Sequence, residues 1–456
     1  MPQIITAKLK LNTTPEQHQS LRQTQLAYRD ALNYVSRYSF EHGKLSNRDR
    51  LQQGTYDDIR LLYKLPSQMA CNVPRQVAGT YKGLWTKLRK NIEHRKAGYT
   101  KKRYKGLDKP PRYLSPTVTY NYGYDYTFKP GQQVSVLTLQ GRIILSYQGY
   151  EPHVALIHHG ATMGAAKLWY DKAHKQFYLL VSLELKVPDP TPDTLPTVVG
   201  VDVGQRYLAT TATLSNRSRF YPGKRVRARA DHYARLRKRL QKKGTRSATK
   251  RLIALSGRER RLKLQVNHSI AKSIVASHPH TLIGLEELTG IRERTKRRKR
   301  RRKKQGKGTE PVSSKARRAN HHASKWAFAE LHGMLTYKAA LAGSLAIKVD
   351  ANYTSQACPY CGYTDRRNRP GKGLLFICQY EHCPYRQWTG RPYTLHADLV
   401  GARNIAMRTL LTRQDWVRTG VLSVRPDVSD DETKAARLKR YAELRWSSDT
   451  SSSWSN

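Results

Sequence analysis

Cysteine is scarce in this chain: 456 residues carry only 5. That number is too small for a disulfide framework, and a reducing, cytoplasmic setting fits better. Long hydrophobic runs are missing too. No stretch has the length and apolarity of a transmembrane segment, and the N-terminus carries no secretory signal. Acidic residues are in short supply, with 33 Asp and Glu against 84 Lys and Arg, a formal net charge of +51. Such an excess would destabilise a compact fold by self-repulsion unless a polyanion neutralises it. Nucleic acid is the natural partner, because each phosphate contact releases counterions. A membrane surface is the weaker alternative.

What is present divides along the chain. Ile4–Leu11 alternates like a strand, and Thr14-Pro15-Glu16-Gln17 reads as a helix start with a capping box. Leu21, Tyr28, Leu32 and Val35 follow at helical spacing, and helical patterning persists to about Lys105. Composition shifts at Pro110-Pro111. Tyr120, Tyr122, Tyr124 and Tyr126 alternate, the period of a strand with one aromatic face. That face suits either packing on a half-buried sheet or stacking of unpaired bases. Further strands are expected over 134–139, 142–147, 167–170 and 176–185. After the linker 188–192 come an apolar strand ending at Asp202 and two basic helices within 224–275 that break near Gly244. A second apolar strand ends at Glu286-Glu287. A cationic run, Arg292–Lys307, reads as a loop or an insertion that orders on its ligand. Phe328, Leu331, Leu335 and Ala339 mark an amphipathic helix, and Leu345–Val349 a strand. No ordered element is expected after about Val424.

The remaining four cysteines lie together as Cys358-x2-Cys361 and Cys378-x4-Cys383, sixteen residues apart. Two such pairs form a strong zinc-ribbon signal. Four thiolates are the preferred ligand set, with His382 the alternative to Cys383. Four protein ligands leave no open position, so this zinc is structural. Asp202 and Glu286 stand at ends of apolar strands, and Asp398 opens a helix expected over 396–408. Three carboxylates brought to one spot suit phosphodiester hydrolysis by two divalent ions ~4 Å apart, with Mg2+ or Mn2+ preferred by hard oxygen ligands. Singly, each has a plainer reading: Asp202 as a turn cap, Glu286 or Glu287 as an arginine partner, Asp398 as a helix N-terminal acid favoured by the dipole.

The order of GVDVG at 200–204, LEELTGIRER at 285–294, YTSQACPYCG at 353–362, the second cysteine pair and HADLVGARNIA at 396–406 resembles the TnpB family, transposon-encoded relatives of compact type V CRISPR nucleases. The resemblance covers mainly residues 197–408. It implies a multidomain α+β protein whose RuvC-like, RNase H-type α/β nuclease domain carries a zinc-ribbon insert. A helical recognition lobe and a β-rich wedge barrel precede that domain. The implied division is a first barrel strand at 1–12, the helical lobe at 13–108 and the barrel at 109–190. The nuclease follows at 197–352, its ribbon at 353–392, its final segment at 393–423 and a disordered tail at 424–456. The resemblance further implies an Asp202–Glu286–Asp398 set holding magnesium, with Glu286 chosen over Glu287 by its place in the L-E-x-L-T-G-I pattern. It implies a guide RNA and double-stranded target DNA cut beside a short flanking motif, sequence being read by guide pairing. The chain departs from the family in its wide second cysteine pair, in extra residues at Pro384–Leu395 and in the density of Arg297–Lys304.

Three other functions fit parts of the sequence. A catalytically silent RNA-guided repressor would lack an acidic residue, and all three stand in their motifs. A guide-free regulatory zinc protein leaves the strand-end carboxylates and the basic N-terminal half without a role. Strand transfer by a transposase needs an end-binding module not discernible here. The cationic run has the composition of a nuclear localisation signal but is read as an RNA-backbone contact. The expectation is an RNA-guided endonuclease associated with a bacterial nucleoid, with a monomer favoured and no membrane partner.

Overall fold

The computed structural model describes residues 2–98, 100–115, 117–172, 174–204, 206–288, 300–302, 309–311, 328–370, 374–426 and 434–443. They form a multidomain α+β protein of two compact units, Pro2–Lys186 and Val187–Asn456. Among the described residues no helix is long and apolar enough to cross a membrane.

The first unit pairs three long helices with a seven-stranded sheet. Helix α1 (Pro15–Glu41) begins with a complete capping box: the Thr14 hydroxyl accepts from the Gln17 backbone N–H, and the Gln17 side chain accepts from that of Thr14. Its stripe of Leu21, Tyr28, Leu32 and Val35 is fully buried. Helices α2 (Arg48–Tyr63) and α3 (Ser67–Lys96) pack with it. The strands are β1 (Pro2–Asn12), β2 (Thr117–Tyr120), β3 (Tyr126–Lys129), β4 (Gln133–Thr138), β5 (Gly141–Gln148), β6 (Thr162–Asp171) and β7 (Gln176–Lys186), with the short helix α4 (Glu151–His158) after β5. Their order is β2-β6-β7-β1-β5-β4-β3, every named pair antiparallel, so the first strand of the chain lies at the centre. The sheet nearly closes on itself. The Tyr122–Tyr126 bridge links its two ends, and the Tyr126 hydroxyl donates to Gly164 O of β6 at 2.7 Å.

The tyrosine stripe is not one strand, which corrects the sequence expectation. Gly123 takes a left-handed φ of 82° and the chain turns, with the Asp125 carboxylate accepting from the Asn121 N–H at 2.8 Å. Tyr120 and Tyr126 are fully buried on either side of the turn, while Tyr122 and Tyr124 are exposed. Alternation in sequence therefore conceals a reversal in space, because two of the four tyrosines, Tyr122 and Tyr124, belong to the turn itself.

The second unit holds β8 (Thr197–Asp202), β9 (Tyr207–Thr213), β10 (Ser218–Pro222), α5 (Lys224–Lys243), α6 (Arg246–Ser277) and β11 (Thr281–Glu286). It continues with β12 (Arg300–Arg302), β13 (Thr309–Pro311), α7 (Phe328–Leu341), β14 (Leu345–Val349), β15 (Leu375–Ile377), α8 (Pro384–Thr389), β16 (Thr394–His396), α9 (Ala397–Thr419) and α10 (Lys434–Glu443). A five-stranded sheet runs in the order β10-β9-β8-β11-β14. Strands β8, β11 and β14 are parallel and share register, and β11 is buried along its whole length. A strand covered on both faces needs a run without charged or large polar side chains, as Leu282–Leu285 supplies. Ile270, Ile274, Leu331 and Leu335 of α6 and α7 cover one face, and Ile405, Ala406 and Met407 of α9 the other. Apart from Arg300–Arg302, the cationic run Arg297–Lys304 lies outside the described residues. The expected tail contains the helix α10, and residues 427–433 and 444–456 lie outside the description.

Helix α9 sits unusually close to the sheet. A Cβ at Gly200 would lie 2.2 Å from Ala402 O and 2.3 Å from Ala406 N, backbone atoms that cannot rotate away. Gly200→Ala is therefore expected to destabilise the chain by about 3 kcal/mol, the upper part of the overpacking range. Gly333→Ala, on α7 with nothing within 4 Å, is expected to be neutral or stabilising by about 0.5–1 kcal/mol. Urea unfolding of both variants checks this, and equal midpoints would contradict the close approach.

Candidate metal centre

Parallel register brings the first two carboxylates together. Val201 pairs with Leu285, so the residues that follow, Asp202 and Glu286, end neighbouring strands side by side. Glu286 is 9% exposed and Asp202 half-buried. The third arrives on α9, where Asp398 stands in the first turn and its backbone N–H meets His396 Nδ1 at 3.2 Å. A Cβ at Gly401 would lie 3.0 Å from Asp202 Cγ, so the first turns of α9 run directly past that carboxylate. Asp202 and Glu286 are thus neighbours at the strand ends, and the first turns of α9, which carry Asp398, run past Asp202.

The electrostatics record the crowding. Burial, then the charges of Glu286 and Asp398, push the Asp202 carboxyl well above its usual range, with Arg369 opposing. Burial pushes Glu286 up to about 7 against a hydrogen bond from Thr354 and the charge of Arg408. Asp398 is raised by burial and drawn back by His396, Arg369 and Arg206. Carboxyls raised by burial and by one another's charge are characteristic of functional sites. Hard oxygen donors packed this way form a set that a hard divalent cation would relieve.

The four cysteines make a second, tighter cluster. Cys358, Cys361, Cys378 and Cys383 are all buried, and their sulfurs lie within 4.8 Å of one another. Among the described residues no other group of three or more His, Cys, Asp or Glu meets that spacing. The Cys361–Cys378 sulfur distance is 3.6 Å, near the edge of about 3.8 Å for a tetrahedron with 2.3 Å metal–sulfur bonds. Gly362, at φ +77°, closes the first knuckle by donating to Cys358 O at 2.8 Å. Hydrogen bonds from Cys358 and Cys361 hold the Cys378 thiol down to about 3, while those same contacts raise Cys358. Donor identity, burial and spacing all fit one soft or borderline metal ion. His382 is exposed and outside the cluster, and Cys71 lies far away in sequence beside Gln52. The extra segment Pro384–Leu395 forms α8 and the start of β16, which returns the chain to Asp398.

Several contributors were not legible in sequence. Thr354 donates to Glu286 Oε1 at 3.1 Å, and Asn404 Nδ2 bonds Thr354 O at 2.6 Å and Ala357 O at 2.9 Å. Helix α9 therefore carries Asp398 and also secures the residue that orients Glu286. Thr354 and Asn404 lie inside the motifs singled out, but their partners are 68 and 50 residues away. Arg206, Arg369 and Arg408 are hidden among many other cations.

Comparison with known proteins places these segments in context. The family profile described as Cas12f1-like, TNB domain, matches residues 328–405, and that described as probable transposase, OrfB of IS605, matches 181–292. A putative RNA-guided DNA endonuclease, InsQ of Escherichia coli K12, is 27% identical over 257 residues, covering 54% of this chain and 57% of InsQ. The CRISPR-associated endodeoxyribonuclease Cas12f1 of Sulfoacidibacillus thermotolerans is 39% identical over 82 residues, covering 18% of this chain and 17% of that protein. Cas12f2 of a Micrarchaeota archaeon is 25% identical over 224 residues, 46% of this chain and 37% of its own. The matched region thus spans little more than half the length of these curated relatives at most.

The raised carboxyls make stability depend on pH. Below pH 4.5 Glu286 is protonated whether the chain is folded or not. Between 4.5 and about 7 the folded chain keeps a proton that the unfolded chain has released. Stability should therefore fall as pH rises through that window, by about 3 kcal/mol from this residue when no divalent ion is bound. With magnesium and manganese withheld, Glu286→Gln is expected to flatten the profile and to exceed wild type in urea unfolding at pH 8. A variant less stable than wild type at pH 8 would contradict the burial of charge at this site.

Proposed function

We propose that this chain is an RNA-guided DNA endonuclease of the group that joins TnpB and IS605 OrfB proteins with Cas12f, a reading supported by the matches to the IS605 OrfB and Cas12f1-like profiles. The observation that carries this reading is the convergence of Asp202, Glu286 and Asp398 at the ends of the parallel strands. We read the five-stranded mixed sheet as the RuvC-like, RNase H-type core over 197–352 and 393–423. Residues 353–392 are the zinc-ribbon insert, with Cys358, Cys361, Cys378 and Cys383 as ligands. Residues 13–108 serve as the recognition lobe, and 1–12 with 109–190 as the wedge barrel.

Asp202, Glu286 and Asp398 would hold Mg2+ or Mn2+. Ions bound there supply water activation on one side of a phosphodiester and stabilisation of the leaving oxygen on the other. The residues themselves do the positioning. Thr354 fixes one oxygen of Glu286, leaving the other for a ligand. Arg369 and Arg206 bring positive charge to the same site, where the scissile phosphate adds negative charge. The exposed cationic face of α5, which has no buried residue, offers backbone contacts to nucleic acid without reading sequence. Guide RNA pairing with double-stranded DNA beside a short flanking motif then supplies specificity. The reading takes the protein as a monomer associated with the bacterial nucleoid.

The test is to purify the protein with its bound RNA, sequence that RNA, and add Mg2+ with a matched target library of randomised flanks. Matched cutting that disappears in Asp202→Ala supports the proposal. Matched binding by wild type without cutting would leave a silent repressor, and the absence of bound RNA would remove both readings. Elemental analysis of the same preparation is expected to find one zinc per chain, lost in Cys378→Ser together with on the order of 10 kcal/mol of folding energy for the ribbon.

A further inference from the structure

Helix α10, from a stretch expected to be without order, is pinned at three places. Tyr441 lies with its ring 3.8 Å from the Arg408 guanidinium carbon, and its hydroxyl donates to Asp350 Oδ2 at 2.9 Å. Arg440 pairs with the buried Asp415 at 3.6 Å. Ala442 abuts Gly362, where an added Cβ would come within 2.6 Å of Ala442 Cα. One short helix therefore touches the catalytic-side helix α9 and the first cysteine knuckle together.

Arg408 is the consequential contact. It is 4% exposed, and a guanidinium so buried needs compensation. Its Nη1 donates to Asp350 O at 2.5 Å. Asp350 directly follows Val349, the register partner of Glu286 across β11 and β14, and the next N–H, of Glu287, bonds Val349 O at 2.9 Å. Arg408 thus meets the backbone at the strand ends where Glu286 emerges, and its charge is felt there. The ring face of Tyr441 covers the guanidinium.

We propose that α10 is a working part of the carboxylate site: Tyr441 holds the Arg408 guanidinium at the ends of β11 and β14, and Arg408 keeps Glu286 in the attitude needed to ligate a divalent cation. Tyr441 is a positioning residue, acting two contacts away from the cation. The inference rests on the reading of Glu286 as a metal ligand.

The experiment uses the full-length chain as Tyr441→Leu, Tyr441→Phe and Glu286→Gln. Three quantities are read: the Mg2+ concentration for half-maximal target cutting by the RNA complex, target binding without divalent ions, and Mn2+ binding to the RNA-free chain by electron paramagnetic resonance. Tyr441→Leu is expected to raise the Mg2+ requirement and weaken Mn2+ binding about tenfold, the effect of losing an outer support of a ligand. Target binding should stay at the wild-type level. Tyr441→Phe keeps the ring over Arg408 and is expected to remain within about twofold of wild type, consistent with a cation–π contact as the main tie. Tyr441→Met gives the same reading should Tyr441→Leu fail to fold. Wild-type metal dependence in Tyr441→Leu, beside loss of Mn2+ binding in Glu286→Gln, would overturn the inference and leave the ligand assignment standing. A parallel loss of folding and target binding with an unchanged Mg2+ requirement would also overturn it, as a packing role. Intact Mn2+ binding and cutting in Glu286→Gln would remove the ligand assignment itself.

Discussion

Like charges held together out of water are the constraint on which the second unit depends. Asp202, Glu286 and Asp398 would each be better solvated apart. Parallel strands force two of them into adjacency, and the approach of α9 to Gly200 and Gly284 forces the third. Every neighbour then serves to moderate the cluster: Thr354 as donor, His396 at the helix start, and Arg206, Arg369 and Arg408 as cations. Under the proposed function such a site prefers positive charge, which a divalent ion would supply.

The cysteine cluster belongs to the same construction. The Cys378 N–H bonds Tyr393 O at 2.9 Å, β15 pairs with β16, and the Ala397 N–H bonds Leu374 O at 2.9 Å. The thiol cluster is thereby tied through β15 and β16 to the first turn of α9, one residue from Asp398. Under the proposed function the ribbon fixes where the third carboxylate begins. The Gly362–Ala442 contact extends that framework to α10.

Much of this was legible in sequence, for physical reasons that differ by element. The capping box at Thr14 and Gln17 is local chemistry, and so it reads directly. Strands β8, β11 and β14 announce themselves through apolar runs, and the buried face Leu399, Ala402 and Ile405 through helical spacing. Cysteine spacing exposes the thiol cluster because few residues have that chemistry. The failures have two causes. Tyr120–Tyr126 alternates perfectly, yet Gly123 reverses the chain, and a period of two cannot distinguish a strand from a tight turn with equal flanks. Helix α10 lies between an acidic patch and a serine-rich end, and its order comes from partners far back in the chain: Asp350, Gly362, Arg408 and Asp415. Contacts such as Thr354 to Glu286 depend on the fold already being made.

The most direct test replaces a non-bridging oxygen by sulfur at the scissile phosphate of the matched target, once that phosphate is mapped. Direct ligation of the phosphate by ions held on Asp202, Glu286 and Asp398 predicts that one phosphorothioate diastereomer is cut poorly with Mg2+ and recovers with the more thiophilic Mn2+. Equal cutting of both diastereomers with Mg2+, and no change on adding Mn2+, would contradict the account.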